Sequence, residues 1–277
     1  MGVLLGSLAA CRKPAAPSPE ATASVAPITS APPSLAPVVS SELEVPGLRV
    51  RSGTLAARGE AARSDAPRLW GFTALALDAS EVTLEIVRPE RGAALAQLLP
   101  AGALAVVNGG YFEADFKPST WLKSGGVELA RRSDTSKGGL LALDATRVYL
   151  GPFAGLSFEP TLAVQSFPLI VEADGKSGIH RDDGRRAART VVCMVGAQLH
   201  FILIAAPRGE GPTLFESAAI LREPAPSGFG CRVALNLDGG PSAGVWFSPQ
   251  VAAKQRPPLA PVGYAIAIVP RALAGER

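Results

Sequence analysis

The sequence predicts an α+β domain: mixed, largely antiparallel sheet or sheets with one or two packed helices. Three observations lead there. Glycine and proline are frequent, 29 and 25 of 277 residues, which implies many turns and few long helices. From Pro46 onward, short β-like runs alternate with turn signals. Helical patterns are few and follow no regular βαβ alternation. A hydrophobic content of 47% suits one domain with a substantial core.

The elements follow in order. "GLRVRSGTL" is the first strand. "LWGFTALALD" and "EVTLEIVRP" come next and read as a hairpin joined by Asp78-Ala79-Ser80. "AALAQLLP" reads as a short helix ended by Pro100. "ALAVVNGGYF" is an apolar strand that stops on an amide and two glycines. "GGLLALD" and "RVYLG" form a hairpin around Asp144 to Thr146. In "AVQSFPLIVEADGK" the proline demotes part of a strand to an edge or loop. Residues 173–187 form a polar, glycine-containing loop. "RTVVCMVG" and "QLHFILIAA" make a further hairpin around Gly196. "TLFESAAILRE" is the strongest helix, with Thr213 and Glu216 spaced as a capping box. "CRVALNLDGG", "SAGVWFS" and "GYAIAIVP" complete the strands.

The chain divides into three parts. Residues 1–11 read as the remnant of a secretory signal, because the apolar run Val3–Ala10 is shorter than the ~20 residues a membrane helix needs. Leu8-Ala9-Ala10-Cys11 resembles a bacterial lipobox, with Cys11 as the lipidated residue. Residues 12–45 are rich in Ala, Pro and Ser and read as a disordered tether. Residues 46–277 are the folded domain. These features predict a lipid-anchored protein of the bacterial cell envelope, with the membrane as one partner.

A net charge of +3 and an aromatic content of 6% argue against nucleic acid as a partner. Two histidines and three cysteines without metal spacing supply no metal site, and no motif demands a cofactor. Asp182-Asp183-Gly184 and Asp174-Gly175 lack the ligand spacing of a calcium loop and read as turns. Cys193 and Cys231 are free to pair in an oxidising compartment. Both also lie in apolar runs, and the unpaired, buried reading is the preferred one.

Two strand ends share a pattern: Asn108-Gly109-Gly110 after "AVV", and Asp238-Gly239-Gly240 after "ALNL". Each delivers a polar side chain at the end of an apolar strand. The glycines then allow a sharp turn or a close backbone approach, and their N–H groups are candidates for an anion-binding concavity. Singly, each would be an Asx turn. Together they suggest a shared cleft. Arg189 and Thr190 stand at the mouth of a third apolar strand, where a guanidinium forks well onto phosphate. Arg181, Arg185 and Arg186 read instead as a solvated basic loop.

Taken in order, Asn108-Gly109-Gly110-Tyr111-Phe112, Gln165-Ser166-Phe167-Pro168-Leu169-Ile170, Ala188-Arg189-Thr190, the helix "TLFESAAIL" and Ala234-Leu235-Asn236-Leu237-Asp238-Gly239-Gly240 resemble the phosphodiester glycosidase family over roughly residues 70–269. The pattern differs at Pro241, where the family usually has a third glycine, and at Cys193, where it commonly has a glycine. The resemblance implies hydrolysis of the bond between a sugar's anomeric carbon and a phosphodiester oxygen, on a glycan or phosphoglycan substrate. It implies Asp238 as the key carboxylate. Arg189 and Thr190 would hold phosphate. Asn108, Gly109, Gly110, Asn236, Gly239 and Gly240 would line the substrate. Glu216 is either a second carboxylate or only the helix cap. The alternative function is a non-catalytic glycan-binding lipoprotein of the same fold.

Overall fold

The structure is a computed structural model that describes residues 35–57, 70–133, 138–206 and 208–271. Cys11 and most of the expected tether lie outside the described residues. Sixteen strands and one α-helix are present among the described residues, and every strand ladder is antiparallel.

The strands form three sheets. The first has seven: β1 (Leu35–Val45), β2 (Leu48–Ala57), β3 (Trp70–Leu77), β13 (Gln198–Ala205), β12 (Arg189–Val195), β14 (Val233–Asn236) and β11 (Leu169–Val171), in that spatial order. The second runs β7 (Val127–Ala130), β6 (Leu122–Ser124), β10 (Leu162–Ser166), β8 (Gly139–Leu143) and β9 (Val148–Gly151). The third runs β15 (Val245–Phe247), β5 (Ala105–Asn108), β16 (Ala265–Pro270) and β4 (Val82–Val87).

All three sheets turn one face to a common core. Leu75, Val192, Phe201 and Leu235 reach it from the first sheet, Leu141 and Val164 from the second, Val107 and Ile266 from the third. Side chains alternate across a strand, so the intervening residues must be covered from outside. On the seven-stranded sheet, Phe72, Val191, Ile202 and Ala234 pack under α1 (Leu214–Arg222) through Ala218, Ile220 and Leu221. Val106 and Ala267 of the third sheet pack against Leu95 and Leu98 of a single 3₁₀ turn. Because both faces are buried, these strands read as continuous apolar runs rather than as polar–apolar alternation.

The two hairpins β8–β9 and β12–β13, and the capped helix α1, match the sequence expectations. Thr213 Oγ1 accepts from the Glu216 N–H, and the Glu216 carboxylate accepts from the Thr213 N–H. Other expectations are corrected. β3 and β4 do not pair: β3 lies between β2 and β13, and β4 pairs with β16. Asp78-Ala79-Ser80 does make a turn, with Asp78 Oδ1 accepting from the Ser80 N–H at 2.9 Å, but the turn carries the chain from one sheet to another. Similarly, Phe167-Pro168 divides a run into β10 of the second sheet and β11 of the first. "AALAQLLP" supplies only the 3₁₀ turn Leu95–Leu98. Residues 35–45, expected in the tether, form β1 along the full length of β2. Cys193 and Cys231 are joined as a disulfide across 38 residues, against the preferred unpaired reading.

His200 shows what burial on the outer face demands. It stands on β13 between Ala76 of β3 and Cys193 of β12, 6% exposed, and its Nε2 has no partner among the described residues. Burial, with a smaller push from Arg51, lowers its pKa from 6.5 to about 4. The folded protein therefore holds a neutral imidazole while the unfolded chain takes up a proton near pH 6.5. Between these values the unfolded state binds more protons, so stability falls as pH falls. The effect is absent above about pH 6.5, and its full size, on the order of 3 kcal/mol, is reached below about pH 4. Urea unfolding at pH 7 and pH 4.5 checks this, with the drop expected to be clearly smaller in His200→Leu.

Candidate active site

The site forms where β12 begins and β14 ends. These strands pair with Val191 opposite Asn236. The pairing continues past β14 in backbone bonds: the Leu237 N–H donates to Thr190 O at 2.9 Å, and the Gly240 N–H to Ala188 O at 2.8 Å. The first bond keeps the register of the ladder and the second is one residue out of it, so the chain bulges at Asp238-Gly239, beside Arg189. Leu235 and Leu237 point into the common core. Two residues separated by 49 positions thus reach the same sheet end. The Arg189 Nη1 lies 4.0 Å from where a Cβ at position 239 would be.

A clasp from the third sheet fixes this end. Asn108, the last residue of β5, is 1% exposed. Its Nδ2 donates to the backbone oxygens of Asp238 at 2.8 Å and Gly109 at 3.0 Å. Its Oδ1 accepts from Thr190 Oγ1 at 2.7 Å and from the Gly244 N–H at 3.0 Å. The Asp238 N–H in turn donates to Gly109 O. The two look-alike strand ends therefore belong to different sheets and bind each other. Asn108 and Thr190, expected to hold substrate, have their side-chain polar atoms engaged within the protein. They set the position of the Asp238 backbone.

The glycines are explained by close packing, not by an anion nest. The N–H of Gly109 donates to Tyr264 O, that of Gly110 to the Tyr264 hydroxyl, that of Gly239 to Asp238 Oδ1 and that of Gly240 to Ala188 O. None of these four amides is left for a ligand, which corrects the expectation for Gly109, Gly110, Gly239 and Gly240. A Cβ at Gly109 would come within 2.1 Å of the buried Tyr264 ring, and one at Gly239 within 2.7 Å of Ala188 O. Gly240 has a positive φ of 57°, which a side chain disfavours.

The groups left for chemistry are Asp238, Arg189 and Tyr111. Burial pushes the Asp238 carboxyl above the usual carboxylate range, with Ser242 and the Gly239 amide partly opposing the rise. No ion pair within 4.0 Å joins Asp238 to Arg189 or to any other described cation. Arg189 is anchored through Nε to Pro212 O at 3.0 Å and Nη2 to Arg185 O at 2.8 Å. Burial lowers its pKa, opposed by the pull of Tyr111 and Asp183, and a guanidinium remains charged under such a shift. Its Nη1 has no protein acceptor among the described residues. The Tyr111 phenol is pushed up to about 12, first by burial and then by Asp238, while Arg189 and Asn236 act in the opposite direction. One phenol thus feels the carboxylate and the guanidinium together, and these two make no ion pair with each other.

Asn236 is fully buried, and its Nδ2 donates to the Tyr111 hydroxyl at 2.8 Å, to Phe167 O and to Leu237 O. Its Oδ1 has no partner among the described residues. The structure assigns Glu216 to the helix cap. Its two oxygens also take a bidentate pair from Arg186 at 2.7 and 2.8 Å, so it is not the second free carboxylate. Arg185 keeps to the expected solvated loop, loosely paired with Asp183 at 3.9 Å. A cleft of about 750 Å³ runs from Pro168 past Leu169, Glu172, Ile179, His180 and Arg181. Tyr111 is the residue that sequence reasoning missed as a participant. The signal was its place directly after Asn108-Gly109-Gly110.

The close packing at Gly109 is testable. Gly109→Ala should drive the added methyl into the Tyr264 ring and cost roughly 1–3 kcal/mol, read as a lowered urea midpoint.

A model of the phosphodiester glycosidase family matches residues 101–269, more than half of the chain. No curated protein matches it. Among solved structures, the fold is similar to the catalytic domain of zebrafish N-acetylglucosamine-1-phosphodiester alpha-N-acetylglucosaminidase, auto-inhibited by its pro-peptide. That match has a TM-score of 0.63 at 15% identity and covers 86% of this chain and 89% of the other. A protein from Synechocystis matches at TM-score 0.55 and 14% identity, over 85% of this chain and 64% of its own. A Burkholderia pseudomallei protein described as exported matches at 0.56 and 12%, over 88% and 99%. At such identities the solved structures speak for the fold alone. The matched segment holds both glycine-rich strand ends, Arg189 and Asp238, and on it this chain belongs to the phosphodiester glycosidase family.

Proposed function

We propose that this domain hydrolyses the bond between the anomeric carbon of a sugar and a phosphodiester oxygen, acting on a phosphoglycan of the bacterial cell envelope. The observation that carries this reading is that a carboxylate without an ion pair, Asp238, stands at the strand end beside the anchored guanidinium of Arg189, whose Nη1 lies 4.0 Å from where a Cβ at position 239 would be. A carboxylate suits the side of the anomeric carbon, where positive charge develops and water or the carboxylate must attack. A guanidinium suits the side of the phosphate. The departing group is a phosphate monoester, which leaves without strong help from an acid. A single free carboxylate is therefore sufficient, and the engagement of Glu216 in its cap is no obstacle. Asp238 acts as base or nucleophile, and its raised pKa brings its basicity closer to neutral pH. The cleft lined by Pro168, Glu172, His180 and Arg181 offers room for the rest of the phosphoglycan. Anchoring through lipid on Cys11 would keep the domain at the membrane surface where such substrates reside.

A second reading, a non-catalytic phosphoglycan binder, is favoured by one observation: Glu216 offers no free second carboxylate. One variant separates the two. Asp238→Asn should cut release of sugar from a sugar-1-phosphodiester by 10³-fold or more, on the order expected for a lost catalytic base, with an unchanged thermal melt. Unaltered turnover would remove Asp238 from the chemistry, and binding without turnover in the wild type would establish the binder. In the active enzyme, kcat/KM should fall as pH drops through the raised pKa of Asp238, because the base becomes protonated. The acid limb should lie above the ordinary value of 3.8.

Localisation has its own check. Cys11→Ala should shift the full-length protein from the membrane to the soluble fraction of the cells. Retention in the membrane would reject the lipid anchor.

A further inference from the structure

Tyr111 holds a position that the hydrolytic reading leaves unused. Its ring stacks on Phe167 with centroids 4.4 Å apart and an interplanar angle of 24°. Its hydroxyl accepts from Asn236 Nδ2 at 2.8 Å. Its backbone is fixed on both sides, by the Gly110 N–H donating to the Tyr264 hydroxyl and the Ser119 N–H donating to Tyr111 O. The phenol oxygen is thus aimed from several directions, yet its own O–H has no acceptor among the described residues. A hydroxyl that accepts one hydrogen bond becomes a better donor in the next. The phenol oxygen stands at the end of β14, on Asn236, whose Nδ2 also reaches the carbonyl of Leu237, the residue before Asp238.

We propose that Tyr111 is a further catalytic residue, whose O–H donates to the oxygen that links the anomeric carbon to phosphorus. The inference rests on the hydrolytic reading and follows from its geometry. With the sugar carbon on the carboxylate side and phosphorus on the guanidinium side, the linking oxygen falls between them, at the strand end where Asn236 holds the phenol. When Asp238 acts as base, a water O–H bond breaks and its proton passes to the carboxylate. The water oxygen bonds to the anomeric carbon, and the bond from that carbon to the linking oxygen breaks. The electron pair remains on the linking oxygen, which becomes a terminal oxygen of the phosphate monoester. The phenol keeps its proton throughout, and its hydrogen bond strengthens as charge builds on that oxygen. A phenol held up to about 12 is suited to donating without transfer.

The experiment uses the whole enzyme and a series of sugar-1-phosphodiesters with leaving phosphates of graded basicity. Tyr111→Phe keeps the ring for the Phe167 stack and removes the donor. Its kcat should fall on the order of 10²-fold, the scale for losing one donor to developing charge, with KM changed far less. The loss should grow as the leaving phosphate becomes more basic, which a merely structural role would not produce. Unchanged kcat, or an equal loss across the series, would overturn the inference. Should Tyr111→Phe melt early, 3-fluorotyrosine at position 111 tests the same point with a more acidic donor. It should raise kcat for the most basic leaving groups, and no change there overturns the proposal. Wild-type protein inactive on the whole series would sink the hydrolytic reading and this inference with it. An active wild type with an indifferent Tyr111→Phe sinks this inference alone.

Discussion

The geometry of the site depends on the side chain of Asn108. A buried amide must satisfy both its donor and its acceptor, because each unpaired group costs about 1–3 kcal/mol. Here it does so across a seam between two sheets: the Asp238 and Gly109 carbonyls on one side of the amide, the Thr190 hydroxyl and Gly244 amide on the other. A packed apolar seam would tolerate small slides. Four hydrogen bonds from one planar group tolerate very little. The position of the Asp238 backbone is therefore set from the third sheet as well as by the strand that carries it.

The same seam explains why the site is rich in glycine. The aromatic ring of Tyr264 fills the space beside Gly109, and its hydroxyl meets the amide of Gly110. Backbone donors that a glycine-rich turn usually offers to an anion are used here to join sheets. Recognition of a negative ligand then falls to side chains. Arg189 is already oriented by two carbonyls and keeps one nitrogen in reserve. Little ordering of that side chain remains to be done when a ligand arrives, which favours affinity.

Much of the fold was legible where local chemistry decides. The capping box at Thr213 and Glu216 and the turns of β8–β9 and β12–β13 depend on neighbours in sequence. The partner of a strand is different, because it is chosen by the whole core. Asp78-Ala79-Ser80 makes a sound turn, but nothing in it says that β3 and β4 part to separate sheets. β1 escaped notice because it is an edge strand. Val38 and Val39 are about half exposed, and Pro37 is tolerated where one side needs no partner. At the site, the ordered motifs brought Asp238 and Arg189 forward and left Tyr111 in the background. An aromatic after two glycines reads as core until the charges around it are known. Glu216 showed the reverse: its spacing fitted two roles, and only the bidentate Arg186 partner separated them.

The bond between Cys193 and Cys231 lies four residues beyond Arg189 on β12 and two residues ahead of β14, the strand that ends at Asp238. It ties β12 covalently to the segment that leads into β14, in addition to the hydrogen-bond ladder between the two strands. A chain folded where thiols stay reduced would lack this link, and the two strands would be held together by non-covalent forces alone. The quality of the pocket is thus linked to the chemical history of the molecule: two preparations of identical composition could differ in how firmly the pocket is held, according to whether an oxidant was met during maturation.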